Sequence, residues 1–151
     1  MARFYSLLVG HPGSELDVGG RILLSAPETR AEIIARAISN GGTIINRGHL
    51  AGDVPGVKAH LECRGLILKG GDILAIPELH GKAEGVEMSH EAAVGKINQE
   101  EILYLMSRGL SEDEATATIV RGFMSVDIPG LPSELKAQID AAVAQTEQEV
   151  M

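Results

Sequence analysis

Clustered glycines cut the first part of this chain into pieces too short for a conventional helical domain. They stand at Gly19-Gly20, Gly41-Gly42, Gly52 to Gly56, Gly70-Gly71 and Gly81 to Gly85. Between them lie β-like segments at 21–25, 43–48, 57–68, 72–77 and 86–89. Turns therefore recur at intervals of roughly 10 to 20 residues, the rhythm of strands wound into coils or hairpins. It is a rhythm without a strict sequence period. One segment reads differently: residues 28–38, ETRAEIIARAI, are good helix formers, and propensity alone predicts a helix there. A sheet context can override such a preference.

The filling of the core points the same way. Phe4, Tyr5, Tyr104 and Phe123 are the only aromatic residues, so aliphatic side chains must supply the interior. Scarce aromatics and 18 glycines suit a stacked-coil solenoid, in which aliphatic layers repeat. At 151 residues the chain can bury roughly two-thirds of its unfolded surface. A net charge of −8 with no Lys/Arg cluster argues against nucleic acid or an anionic membrane as partner. The apolar stretch at 4–9 is too short for a signal-peptide core, and no run approaches membrane-spanning length. Cys63 is the single cysteine, which fits a reducing, cytoplasmic compartment.

A change of texture near residues 92–98 divides the chain into a β part, 1–95, and a helical part, 96–151. Asn98 with Glu101 reads as a capping box for a helix that runs to about Arg108 and stops at Gly109. Ser111 with Glu114 is a second box, followed by apolar positions Ala115, Ile119 and Phe123. Pro129 and Pro132 interrupt the chain, and Ser133 opens a third helix striped by Leu135, Ile139, Ala142 and Val143. Tyr104, Met106 and Phe123 read as core residues of this part.

Common site motifs are absent. There is no GxxxxGK[ST] loop and no GxGxxG after a strand. His90-Glu91 begins like HExxH, but residue 94 is Val, so the second ligand is missing. On the 57–68 segment, alternation puts Ala59, Leu61, Cys63 and Ile67 on one face, and His60, Glu62, Arg64 and Leu66 on the other. Read alone, Cys63 is a small buried hydrophobe, and His90-Glu91 is a hydrogen-bonded pair at a strand–helix join.

Residues 86–124 carry a more specific pattern. In order come Ser89-His90-Glu91, Ala92-Ala93-Val94-Gly95-Lys96, Tyr104-Leu105, Arg108-Gly109 and Gly122-Phe123, with Glu62-Cys63 and Ile76-Pro77-Glu78-Leu79 upstream. This resembles the SufB/SufD family of iron–sulfur cluster assembly scaffolds, over roughly residues 28–125. The resemblance implies a mainly β chain with added α: a right-handed parallel β-helix of few coils followed by a three-helix C-terminal part. It implies a scaffold, without enzymatic activity of its own, that works with an ABC-type ATPase, SufC, docked on the helical part. Tyr104, Arg108 and Phe123 are the expected ATPase contacts.

In SufB-like members a Cys matching Cys63 and a Glu matching Glu91 are implicated in cluster assembly; in SufD-like members it is a His matching His90. This chain has all three, so a homodimer, or a SufB/SufD-type pair, is expected to hold a transient iron–sulfur cluster between two chains. Glu62, His60 and His80 are weaker candidates. Typical family members are about three times longer. If earlier coils are lacking, residues 3–9 would serve as a cap over the first coil's edge. The rival reading is a small cysteine- or metal-dependent enzyme on a β-solenoid, built on Cys63, His90 and Glu91.

Overall fold

The computed structural model describes residues 1–150, with side chains described through residue 145. Two compact units divide the chain, Met1–Lys96 and a second that begins at Ile97.

Seven strands make up the first unit: β1 Ala2–Gly10, β2 Glu15–Leu24, β3 Arg30–Ser39, β4 Thr43–Gly52, β5 Lys58–Ile67, β6 Asp72–Gly81 and β7 Glu87–Lys96. They pair in parallel in two sheets, β1-β3-β5-β7 and β2-β4-β6. Parallel neighbours need a long crossover between them; here each strand of one sheet is the crossover for the other. The result is a parallel β-helix of three coils and a final strand. Register exposes the period that the residue identities conceal. Ala2 lies beside Ala31, Arg30 beside Lys58 and Lys58 beside Glu87, offsets of 29, 28 and 29 residues. In the other sheet Glu15, Thr43 and Asp72 align at offsets of 28 and 29.

The core is stacked in rows. Along the four-stranded sheet, Ala31 and Ala59 form one row, Ile33 and Leu61 the next, and Ala35 and Cys63 a third, all buried. Leu24, Leu50 and Val57 close the same cluster. Each fully buried Leu or Ile contributes about 1.5–3 kcal/mol. Gly48, facing Leu61, makes room for it: a Cβ there would overlap the Leu61 Cδ1 methyl. A narrow interior filled by Ala, Ile and Leu rows has little space for aromatic rings, which is why the chain carries so few.

Three expectations for this unit change. Residues 28–38 are not helical; β3 occupies most of them, because β1 and β5 flank it on both sides and Ala31, Ile33, Ala35 and Ala37 alternate into the core. Residues 3–9 belong to β1, a full member of the sheet in parallel register with β3, and so extend the coil stack where a cap was expected. The last β segment runs to Lys96 instead of ending at residue 89, so His90 and Glu91 are mid-strand residues.

The second unit holds α1 Gln99–Ser107, α2 Glu112–Met124 and α3 Ser133–Val150. The Asn98 side chain accepts the Glu100 N–H at 3.0 Å and caps α1. Ser111 and Glu114 form the reciprocal capping box of α2. On α1, Ile102 is buried while Tyr104 and Met106 are exposed, against the core role expected for them. Ile102 to Met106 is an unbroken apolar run, and five consecutive helical residues span more than one face. On α2 the buried residues are Ala115, Ala117, Val120 and Met124, leaving Ile119 and Phe123 half-buried at the margin. The α3 stripe is only partly covered: Ile139 and Val143 are half-buried, Leu135 and Ala142 exposed.

Candidate functional site

Adjacent strands β5 and β7 bring the candidate residues together, and alternation sorts them by face. Cys63 lies on the core side of β5, 1% exposed, in the row Ala35–Cys63–Ala92. Leu61 is the register partner of His90, so His90 shares the core side of the sheet with Cys63, one row along and one strand over. With strands about 4.8 Å apart and a rise of about 3.3 Å per residue, such diagonal positions are roughly 8 Å apart. His90 is exposed because β6 is the last strand of the facing sheet, so among the described residues no strand lies opposite β7. Glu91, the next residue, necessarily points to the outer side. The sheet itself therefore separates Glu91 from Cys63.

Burial pushes the Cys63 thiol pKa up, and the nearby Glu62 carboxylate adds to the effect. Burial of this kind disfavours the thiolate form, whether as nucleophile or as metal ligand, unless a bound partner draws the proton away. On the outer face, Glu91 accepts from Arg64 Nη2 at 2.7 Å, and Arg64 Nε lies 3.3 Å from Glu62. Glu62 in turn is paired with Arg36 of β3. His60 Nδ1 is 2.9 Å from the Ser89 hydroxyl, and Lys58 pairs with Glu87 at 2.8 Å. His80, beside Ala51 at the end of β6, is exposed and stands apart from Cys63, on the other sheet. The arginines of this outer ladder were not among the expected site residues. Arg64 was visible on the correct face, but Arg36 lies in the segment that reads as helix.

In the helical unit Tyr104 is 62% exposed, with the Arg108 guanidinium 6.0 Å from its ring centre. Among the described residues, no helix is long and apolar enough to cross a membrane.

The family described as "SUF system FeS cluster assembly, SufBD core domain" matches residues 1–123. The chain belongs to the SufBD core family. The match takes in β1 and β2, which precede the span of 28–125 that the motifs suggest. Among curated relatives, an iron–sulfur cluster assembly SufBD family protein of Archaeoglobus fulgidus is 53% identical over 151 residues, covering 99% of this chain and 41% of the relative. One from Methanothermobacter thermautotrophicus is 55% identical over 137 residues, covering 89% of this chain and 33% of the relative. One from Staphylococcus epidermidis is 34% identical over 144 residues, covering 91% and 30%. The chain thus spans well under half the length of these SufBD relatives, and its fold is that of a parallel β-solenoid with C-terminal helices.

The ion pairs set an acid limit on stability. Hydrogen bonds from Arg64 and Arg47 hold the Glu91 and Asp17 carboxyls below their ordinary values, and the bonds from Ser111 do the same for Glu114. A folded-state pKa below the unfolded one means the contribution is complete above the unfolded value and is lost as pH falls through the lower one. The expected result is a melting temperature level from neutral pH down to the ordinary carboxylate values, 4.5 for Glu and 3.8 for Asp, and falling beneath them. Thermal melts at stepped pH check this; a melting temperature that rises below pH ~4 would contradict the assignment.

Proposed function

We propose that this chain is a scaffold component of an iron–sulfur cluster assembly complex, holding the nascent cluster as cargo while a SufC-like ABC-type ATPase hydrolyses ATP. Family membership supports the process. The observation that carries the site is Cys63 and His90 on one side of the four-stranded sheet, at the end of the coil stack where the facing sheet stops. A thiolate with an imidazole is a good donor pair for iron. Iron binding requires Cys63 to lose its proton, since thiolate is the ligand.

Among the described residues, no three His, Cys, Asp or Glu side chains are grouped to hold a metal ion. One chain therefore offers an incomplete donor set, and a second chain, identical or of the SufB/SufD pairing type, completes it across the open side of β7. Glu91 serves this site from the opposite face of the same strand. On the helical unit, Tyr104, Arg108 and Phe123 form the ATPase contact; exposed Tyr and Arg are favoured anchors of protein interfaces. The working compartment is the reducing cytoplasm.

The test is anaerobic addition of ferrous iron and sulfide to the full chain, alone and with the ATPase. A scaffold gains broad absorption above about 400 nm, as thiolate-bound iron–sulfur centres do, and changes the ATPase rate. Absence of both effects would remove this reading.

A further inference from the structure

Among the charges on the outer face of β3, β5 and β7, Arg36, Glu62, Arg64 and Glu91 are arranged in an unusual way. Arg36 is the direct register partner of Arg64, and Glu62 is the direct register partner of Glu91. Like charges placed directly opposite each other across strands are destabilising. The arrangement holds because the cross-strand attractions are diagonal, Arg36 to Glu62 and Arg64 to Glu91 at 2.7 Å, while Arg64 also lies 3.3 Å from Glu62 two residues along its own strand. Among the described residues Arg64 lies within ion-pair distance of both carboxylates of the facing acidic pair, with Arg36 paired to Glu62 and acting on Glu91 through space.

Strand β7 needs such a device. Among the described residues it has one sheet neighbour, β5, and no facing strand in its own coil, although β6 of the preceding coil approaches its start. Of its core-side residues, Met88 is half-buried, while His90, Ala92 and Val94 are all exposed. Burial normally fixes which face a strand turns inward, and a slip of one residue exchanges the faces. On β7 that restraint is weak. The polar pairs Lys58–Glu87, His60–Ser89 and Arg64–Glu91 supply it.

We propose that Arg64 is a positioning residue: held against Glu62 of its own strand, it reaches across to Glu91 and pins β7 to β5 in the register that turns His90 to the side of Cys63. Glu91 then acts through the strand's placement. The part of this inference that concerns iron rests on reading Cys63 and His90 as donors.

The experiment compares full-length R64Q, E91Q and the double variant R64Q/E91Q by hydrogen exchange of the β7 amides and by absorption after addition of iron and sulfide. R64Q leaves two carboxylates facing each other, so β7 exchange is expected to accelerate about tenfold, with loss of the chromophore. E91Q removes the repulsion together with one bond, so its effect is small. The double variant exchanges more slowly than R64Q and recovers part of the absorption, a coupling that independent sites would not show. Unchanged exchange in R64Q overturns the proposal. So does E91Q that abolishes the chromophore while β7 stays protected, since that outcome marks Glu91 as a direct ligand. If the wild-type chain builds no chromophore, the cluster reading fails, while the order of exchange rates still decides the role of Arg64.

Discussion

Gly71→Ala is expected to cost about 3 kcal/mol or more, whereas Gly70→Ala costs only about 1. Both glycines have φ near +80°, a conformation that charges any L side chain a penalty. They differ in surroundings. A Cβ on Gly70 meets nothing within 4 Å, while one on Gly71 would overlap the Gly42 carbonyl oxygen and the Ser39 hydroxyl. Those atoms cannot step aside. Ser39 is fully buried and donates its hydroxyl to Gly42 O at 2.6 Å, and the same carbonyl accepts the Asp72 N–H at 3.1 Å. Gly71 therefore sits where one coil's turn stacks on the next, and a methyl there must separate the coils. Urea titrations of the two variants check this. Equal losses would show that backbone conformation alone, and not contact between turns, sets the cost.

That turn stack also explains what the sequence conceals. Positive φ recurs at Gly13, Gly41 and Gly70 on one side of the coil, and at Glu28, Gly56 and Gly85 on the other. Each series steps by 28 and then 29 residues, the same offsets as the strand register. The period was present in the glycines, but Glu28 breaks one series, and the intervening strands share size and not identity. Ala59 beside Met88 is one example. The segment 28–38 misleads for a related reason. Ala, Glu and Arg favour a helix locally, while the equally present alternation of Ala31, Ile33, Ala35 and Ala37 gains its meaning only from flanking parallel strands.

The site was legible in proportion to how well each strand was. Alternation along 57–68 placed Cys63 correctly toward the core, because Ala59 and Leu61 mark that face clearly. His90-Glu91 was harder. Ala92, Ala93 and Val94 carry almost no alternation, so the pattern reads as a strand ending at residue 89. Once β7 continues to Lys96, consecutive residues must face opposite ways. Arg64 and Arg36 gain their role from cross-strand register, which a single sequence does not display.

Cys63→Ala is expected to abolish the iron–sulfide chromophore while leaving the fold nearly intact. The row that holds Cys63 already has alanine on both sides, at Ala35 and Ala92, so an alanine side chain suits its geometry. What is lost is the packing of one sulfur atom in a buried position, about 1 kcal/mol, or roughly 2–4 °C in melting temperature for a chain of this size. Serine is the poorer probe, because a buried hydroxyl without a partner costs about 1–3 kcal/mol and confounds stability with ligation. The chemistry has no such tolerance. Cys63 is the only thiol in the chain, and with the thiolate gone the donors left beside it on that side of the sheet are the His90 imidazole and the weak thioether of Met88. Absorption above about 400 nm should therefore fall to background in Cys63→Ala, with thermal melts shifted by only a few degrees. A variant that keeps the absorption would assign the cluster to other donors. One that unfolds would show that Cys63 is held by packing that the row of alanines does not reveal.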